Sequence, residues 1–276
     1  MERFEILCVT MHQNDFSKIR KMNIHSNVVF ANQCDHTCYD ELEFEGNKAK
    51  MISTNTRGVG INRNLALTYA TGDVCLFADD DVVYLDDAEE IVMSEFSAHP
   101  DADVFIFHLD TTDPQRTQVS YNKTKKCGPL TRMPWGGFRI AVRLSAQRRA
   151  NLWFSTLYGG GAVFPSGEDS KWLLDAKRAG LVFYVSKETI GTVSFETSTW
   201  FTGYDEKLFY GKGAWSYATY KHTFFIWKWY YIYRYMNKGD MSISEKLKWM
   251  NAGKKGYQQM LSFEDYCRKI QACKEN

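Results

Sequence analysis

The first 110 residues alternate between short apolar runs and segments with helical spacing, and this alternation limits the possible folds more than any other feature. The apolar runs have the length of buried strands and are residues 4–10, 27–32, 51–53, 74–78 and 104–109. The helical segments are residues 16–22, residues 60–70, and a third that Asp86-Asp87 opens and His99-Pro100 closes. Strands separated by helices favour an α/β fold with a mainly parallel sheet.

The second half of the chain is less regular. Residues 111–135 are polar, contain three prolines and are typical of a loop. Residues 168–179 have helical spacing and end at Gly180, and residues 181–185 have strand character. From Lys221 the chain is aromatic and basic, as in KHTFFIWKWYYIYRYMNK. Either these aromatic side chains pack on the preceding domain, or they lie at a membrane interface.

Composition excludes several classes of protein. The net charge of +1 over 276 residues gives no general attraction to nucleic acid. Seven cysteines are too few, and odd in number, for a secreted disulfide scaffold, so we expect a reducing cytosol. The first residues, MERFEILCVT, do not resemble a signal peptide, and no apolar run approaches the length of about 18 residues that spans a bilayer.

The most informative short stretch is LFADDDVVY, in which a strand-like run ends in three consecutive aspartates. Neighbouring carboxylates raise each other's pKa, so their charge needs compensation. Extended geometry would put Asp79 and Asp81 on one side and Asp80 on the other. Mg²⁺ or Mn²⁺ bridging these oxygens to a diphosphate would compensate the charge. A solvated acidic turn is the alternative.

Two further stretches carry polar groups that suit a phosphorylated ligand. In TRGVGINRNLAL a glycine-containing turn precedes a helix, and Arg57 and Arg63 lie nearby, which is typical of an anion site. In YGGGAVFPSGEDSKWLLDAKRAG three glycines indicate tight turns or close approach to a ligand. Glu168 and Asp169 then stand at a helix N-terminus, where an acid also serves as an ordinary cap.

Together these residues resemble glycosyltransferase family 2, whose members have the GT-A fold and use nucleotide-diphosphate sugars. The family pattern is a glycine, Ala-Arg-Asn, a Gly-Asp before a strand, Asp-x-Asp, and a later Glu-Asp. In this chain the corresponding residues are Gly58 or Gly60, Asn62-Arg63-Asn64, Gly72-Asp73, Asp79-Asp80-Asp81 and Glu168-Asp169. GGGAVFPSGEDSKWLL and STWFTGYDEKLFYGKGA further resemble enzymes of bacterial surface-polysaccharide synthesis. The resemblance covers residues 4–215.

The resemblance implies roles for particular residues. Members invert the anomeric centre in one displacement, with a cation on Asp79 and Asp81 that stabilises the leaving diphosphate, aided by Arg63. Asp169 is the candidate base, and Glu168 shares that role or orients the acceptor. The remaining donor-binding candidates are Thr10 at the base, Asn32 and Asp35 at the uracil or ribose, Arg57 near the phosphates, and Asp80. Two departures affect these roles: Asn62 replaces the usual Ala, and Asn32-Gln33-Cys34-Asp35 replaces Asp-Asp-x-Ser.

The sequence therefore predicts a GT-A catalytic domain at residues 1–215 and a helical extension at 216–276. The predicted reaction transfers a sugar from a UDP-sugar to a glycan or lipid-linked glycan acceptor, with Mn²⁺ or Mg²⁺ as cofactor. The expected location is the cytoplasm, with residues 221–238 as the candidate peripheral contact with the inner face of the membrane. Two alternatives stay open: a sugar-1-phosphate nucleotidyltransferase, and a non-catalytic subunit that binds nucleotide sugars.

Overall fold

The structure is a computed structural model, and it describes residues 2–113, 119–128, 131, 136–194 and 203–272. The predicted loop at residues 111–135 lies partly outside these ranges, as do the first five residues of STWFTGYDEKLFYGKGA. Within the described residues the chain contains both strands and helices. The strands are β1 (Phe4–Met11), β2 (Asn27–Gln33), β3 (Cys38–Phe44), β4 (Asn47–Thr54), β5 (Val74–Asp79), β6 (Val82–Tyr84), β7 (Val104–Thr111), β8 (Lys125–Lys126), β9 (Ile140–Arg143) and β10 (Phe183–Val193).

Helices connect many of these strands and form the C-terminal part of the described chain. They are α1 (Lys18–Lys21), α2 (Val59–Tyr69), α3 (Ala88–Ala98), α4 (Leu144–Arg149), α5 (Glu168–Arg178), α6 (Glu206–Thr219), α7 (Phe224–Arg234), α8 (Ile243–Gln259) and α9 (Phe263–Ala272). No helix among the described residues is long and apolar enough to cross a membrane.

The strands form one mixed sheet in the order β3-β4-β2-β1-β5-β9-β7-β10-β6, and β8 pairs with β10. The pairs β1–β2, β1–β5, β2–β4 and β7–β10 are parallel. The sequence of β1, FEILCVTM, is buried at every position except the last. A continuous apolar run of this kind is typical of a strand covered on both faces. The mainly parallel α/β prediction is confirmed.

Several short strands have no clear signal in the sequence. β3 is CYDELEF, with mostly exposed side chains, and it pairs only with β4 at the edge of the sheet. Charged, exposed residues are usual on edge strands but do not follow a strand-like apolar pattern. The four residues of β9 run antiparallel between β5 and β7, where backbone pairing rather than the local pattern decides their conformation.

The chain divides into two compact units, and the first contains the sheet. This unit comprises Met1–Arg57, Ile61–Phe154 and Asp169–Thr197. Each face of its sheet is covered by a separate apolar cluster. On one face the rings of Phe77, Phe154 and Trp172 contact one another, with Phe77 edge-on to both others. This contact holds α5, which carries Asp169, against the strand that leads to the aspartates.

The second unit comprises Gly58–Gly60, Ser155–Glu168 and Ser198–Asn276. Its centre is the pair α6 and α8, which approach closely through glycines. A Cβ on Gly213 would lie 2.2 Å from the carbonyl oxygen of Met250, and one on Gly253 would lie 1.9 Å from that of Tyr210. The predicted division after residue 215 falls inside α6. The functional division into a catalytic domain and an extension stays a prediction.

Candidate active site

The candidate site begins where β1 and β5 end side by side. The two strands are parallel and Val9 pairs with Asp79, so Thr10 and Asp80 follow at the same end of the sheet. The buried Thr10 hydroxyl donates a hydrogen bond of 2.5 Å to the Asp80 carboxylate. The carboxyl ends of parallel strands are where ligands usually bind in open α/β sheets. The topology therefore brings the predicted nucleotide contact next to the aspartates.

Lys18, which the sequence patterns did not single out, supplies the charge that Asp80 needs. Its ammonium group lies 2.9 Å from the Asp80 carboxylate and 2.9 Å from the Asp80 carbonyl oxygen. Lys18 begins the four-residue helix α1. One lysine in a short polar helix carries no signal in a sequence, because its partner lies 62 residues away.

Arg63 compensates Asp79 in the same way. Its guanidinium group is 2.9 Å from the Asp79 carboxylate, and the residue is only 3% exposed. Helix α2 presents it above the ring of Phe154, 5.3 Å from the ring centre. Gly137 lies against it, since a Cβ there would be 2.6 Å from the guanidinium carbon. The predicted contact of Arg63 with a phosphate stays a prediction.

Asp81 differs from its two neighbours. It lies in the turn that follows β5, it is half-buried, and its buried Oδ1 has no hydrogen-bond partner among the described residues. Burial, followed by the charges of Asp79 and Asp80, raises the pKa of Asp81 to about 7. A buried carboxylate oxygen without a partner is costly unless a ligand uses it. The charge of LFADDDVVY is thus offset by cations at its first two aspartates, while the third keeps an open oxygen.

The chemistry of this donor set fits a divalent cation shared with a phosphorylated ligand. Mg²⁺ and Mn²⁺ prefer oxygen ligands, and Mg²⁺ is commonly held by one or two carboxylates plus substrate phosphates. In the described ranges, no group of three or more His, Cys, Asp or Glu side chains is arranged to hold a metal ion. Asp81 and Asp79 would therefore supply only part of the cation's ligands, and the phosphates of the bound ligand would supply others.

Asp169 is the second residue of α5 and belongs to the sheet-containing unit. Its carboxylate accepts hydrogen bonds from the backbone N–H of Gly136 at 3.1 Å and from the backbone N–H of Ser170 at 2.6 Å. Gly136 precedes Gly137, the residue that contacts Arg63. Two adjacent glycines thus connect the candidate base with the arginine that holds Asp79.

Glu168 belongs to the second unit, and its carboxylate lies against Gly159, which lines a cleft in that unit. A Cβ on Gly159 would meet the Glu168 carboxylate at 2.8 Å, and Gly159 has a φ of +103°, so a side chain is excluded. The cleft has a volume of about 360 Å³. Its wall includes the loop 159–163, the side chain of Phe263 and the ion pair of Lys207 with Glu264, whose charged atoms are 2.7 Å apart.

The predicted nucleobase contacts lie at the end of β2. Asn32 is fully buried, and its amide bonds both backbone groups of Gln13 and the hydroxyl of Ser53. Asp35 is 87% exposed on its side chain and lies 3.5 Å from the guanidinium of Arg57. Asn32 thus fixes the loop that follows β1, whereas Asp35 and Arg57 present an accessible ion pair. Their roles in binding a nucleotide stay predictions.

Arg139 is a further residue that the sequence did not identify. It ends the 3₁₀ turn Gly137–Arg139, and antiparallel pairing of β9 with β5 places it near the end of β5. The side chain is fully buried, and none of its guanidinium nitrogens has a hydrogen-bond partner among the described residues. Burial alone lowers the pKa of Arg139 to about 10, so it remains charged at neutral pH.

Comparisons with known proteins agree with this architecture. Residues 37–151 match the model of the glycosyl transferase family 2. No curated protein matches the chain. Among solved structures, TarS 1-349 of S. aureus in complex with UDP-GlcNAc is 12% identical with a TM-score of 0.59, and the match covers 95% of this chain and 93% of that one.

Two other crystal structures of the same protein are also similar. The complex of TarS 1-349 with UDP is 12% identical, with a TM-score of 0.55 and coverage of 95% of this chain and 93% of that one. TarS 1-349 without a named ligand is 14% identical, with a TM-score of 0.54 and coverage of 98% and 78%. At 12–14% identity, the similarity to the TarS structures establishes the fold alone. The segment that matches the family model contains Arg63 and the three aspartates. Residues 37–151 are therefore similar to the glycosyl transferase family 2, and the described chain has a GT-A-like fold similar to that of TarS.

Proposed function

We propose that the protein is an inverting, cation-dependent glycosyltransferase that moves a sugar from a UDP-sugar to a glycan or lipid-linked glycan acceptor in surface-polysaccharide synthesis. The observation that carries this proposal is the buried Oδ1 of Asp81, which has no partner in the part of the chain that the structure describes and lies beside two aspartates that are already compensated. Similarity to the fold of TarS, which was crystallised with UDP-GlcNAc and with UDP, supports the choice of donor.

The leaving diphosphate requires positive charge at the end of β5. Asp81 and Asp79 would hold Mn²⁺ or Mg²⁺, which when bound supplies Lewis-acid stabilisation of the leaving group. Lys18 and Arg63 keep Asp80 and Asp79 in place, because each cation lies 2.9 Å from its carboxylate. In this arrangement Thr10 and Asn32 position the nucleoside side of the donor, and Asp35 and Arg57 border it.

Asp169 acts as the general base in this proposal. The acceptor hydroxyl loses its proton to Asp169 while its oxygen forms a bond to the anomeric carbon. The bond between that carbon and the diphosphate oxygen breaks on the opposite face, which inverts the centre. The Gly136 N–H holds the Asp169 carboxylate in a fixed orientation, as a positioned base requires.

The cleft of the second unit is our candidate for a sugar-binding pocket of that unit. Its volume of about 360 Å³ suits a small ligand, and its wall combines a ring with charged groups, as sugar-binding surfaces need. Glu168, whose carboxylate lies against Gly159, would orient an acceptor hydroxyl. The cysteine content, together with the soluble donor, supports a cytoplasmic location for the proposed enzyme.

Calorimetric titration of UDP into the protein tests the proposal. We expect affinity to rise at least tenfold with Mn²⁺ over EDTA, because the diphosphate otherwise faces uncompensated carboxylate charge. Asp81→Asn should remove most of this gain while the protein stays folded. The matched control is Asp101→Asn, before the start of β7, whose carboxylate lies 2.7 Å from the Lys126 ammonium at the opposite end of the sheet from the three aspartates. Equal UDP affinity in Mn²⁺ and EDTA would refute the cation-dependent reaction.

A further inference from the structure

Helix α7 leaves one face exposed that is almost entirely aromatic or aliphatic. We call this set of side chains the aromatic face. Its members, with the exposed fraction of each residue, are Phe225 (62%), Ile226 (53%), Trp229 (55%), Tyr230 (44%) and Tyr233 (78%). Single exposed apolar residues are common on soluble proteins, but a contiguous group of this size marks an interaction surface.

The opposite face of α7 is already packed within the second unit. Phe224, Tyr231 and Ile232 are buried there, and Tyr231 stacks on Tyr235. Lys228, on the flank, donates to the side-chain oxygen of Asn251 in α8. The prediction that the aromatic segment packs internally thus holds for one side of the helix, and the aromatic face lies on the other.

Cations border the aromatic face at both ends. Residues four apart lie along one side of a helix, so the face consists of two neighbouring rows. One row runs through Phe225, Trp229 and Tyr233, and the other runs from Ile226 through Tyr230 to Arg234. Lys221 lies in the 3₁₀ turn that precedes α7. Lys221 and Arg234 are exposed. No Asp or Glu occurs between residues 207 and 240.

We propose that the aromatic face docks on the surface of a membrane that contains anionic lipids. Trp and Tyr rings with a polar edge suit the boundary between headgroups and acyl chains, and helices that lie in this boundary carry cations beside an apolar face. Lys221, Arg234 and the nearby Lys238 would contact lipid phosphates. A second copy of this chain fits less well, because self-pairing through α7 would bring these cations together without a carboxylate.

The inference rests on α7 and not on the proposed reaction, so the two can fail separately. Its test needs no donor and no acceptor. The full chain is mixed with vesicles of phosphatidylcholine alone or with added phosphatidylglycerol, and bound protein is measured by co-sedimentation. We expect binding at least tenfold stronger to the anionic vesicles, since Lys221, Arg234 and Lys238 are attracted to their negative surface. Binding should fall in 1 M salt, where the Debye length is about 3 Å.

Two sets of variants separate the ring and charge contributions. Replacing Phe225, Trp229 and Tyr233 together by Ser should reduce vesicle binding at least tenfold without changing the melting temperature, because all three are exposed. Its matched control replaces Trp153, Tyr39 and Tyr69, exposed rings of the first unit, by Ser and should bind like the wild type.

The charge variant is Lys221→Glu with Arg234→Glu, which should abolish the preference for anionic vesicles. Lys248→Glu with Lys255→Glu, at exposed positions of α8, is the corresponding control. The proposal would be overturned if the wild-type protein co-sedimented with neither kind of vesicle. Light scattering that shows a dimer in the wild type and a monomer in the Phe225, Trp229 and Tyr233 variant would also overturn it.

Discussion

Two fully buried cationic side chains, Arg139 in the first unit and Lys246 in the second, differ in their hydrogen bonding. The Lys246 ammonium donates to the carbonyl oxygens of Tyr235, Met236 and Lys238, at 2.9 to 3.1 Å. Arg139 has no hydrogen-bond partner among the described residues. Lys246 therefore closes the connection between α7 and α8, whereas Arg139 lowers stability in the unliganded protein.

The aspartate site and the second unit differ in the same way, in whether their polar groups have hydrogen-bond partners. Helix α8 begins with a complete capping box of Ser242 and Glu245, and Asp205 caps α6. After the end of β5, by contrast, one oxygen of Asp81 has no partner within the described ranges. Satisfied polar groups hold a fold together, while unsatisfied ones at a strand end are available to a ligand. Changes at the first kind should cost stability, and changes at the second should affect activity.

The largest effect is expected at Asp169, and it concerns rate. Asp169→Asn should lower transfer about 10²–10⁴-fold, the usual range for losing a positioned base, because an amide does not accept the proton. UDP affinity and the urea midpoint should change little. Transfer rate and calorimetric UDP affinity are measured on the same sample.

Asp175→Asn is the control for that substitution. Asp175 lies on the same helix, and Lys171 and Arg178 pair with it on the surface. It should leave transfer unchanged. An Asp169→Asn enzyme as active as this control would move the base to another residue, with Glu168 the next candidate.

Lys246→Met should produce the largest loss of stability. Three carbonyl groups lose their donor, and removing the charged partner of a buried network costs about 3–5 kcal/mol. Urea denaturation followed by circular dichroism measures the change in the free energy of unfolding. Lys248→Met, two residues later and exposed, should stay within about 0.5 kcal/mol of the wild type. If Lys246→Met lowers the free energy of unfolding no more than Lys248→Met does, then Lys246 does not stabilise the fold and does not differ from Arg139 in this respect.

Arg139→Met should have the opposite sign. Replacing an unpaired buried charge by an apolar side chain of similar length should raise the free energy of unfolding by about 1–4 kcal/mol. Arg143→Met is the matched control, because Arg143 bonds the carbonyl oxygens of Ala102 and Phe96 and pairs with Glu2. That variant should be less stable than the wild type. Equal destabilisation by both variants, in the same denaturation assay, would mean that Arg139 has a partner in solution.

The smallest effect is expected at Asp73, an exposed and paired charge. The backbone N–H of Arg3 donates to its carboxylate at 2.8 Å, and this bond lowers the pKa of Asp73 below its usual value of 3.8. A carboxyl group whose pKa is lower in the folded protein than in the unfolded chain stabilises the fold at pH values above the unfolded-chain pKa. This stabilisation is lost as the pH falls through the folded-state pKa. From pH 6 to pH 3, the wild type should therefore lose slightly more stability than Asp73→Asn. Parallel curves of melting temperature against pH would contradict this.

The sequence was most informative where a local pattern and a buried environment agree. The run FEILCVTM had to be a central strand, because nearly every side chain is apolar. The helical spacing of α2 and the acid-rich start of α5 likewise placed Arg63 and Asp169 on helices. In each case the local period of apolar residues matched the period of the element.

Long-range contacts were beyond such patterns. The pairing of Lys18 with Asp80, the hydrogen bond from Gly136 to Asp169, and the position of Arg139 depend on which strands become neighbours. β9 illustrates the reason, since its four residues are fixed by backbone bonds to β5 and β7 on either side. The aromatic segment shows the same limit, because its composition did not reveal which rings face inward.

The sequence by itself determined the α/β class, the order of its main elements and the chemistry of the aspartate cluster, because these follow from residue type and local period. Only the tertiary structure decided that Arg63 and Lys18 neutralise Asp79 and Asp80 while Asp81 keeps an open oxygen. It also decided which side of α7 is exposed. These features depend on distances between residues far apart in the chain, and burial, which sets the cost of a charge, exists only once the chain is folded.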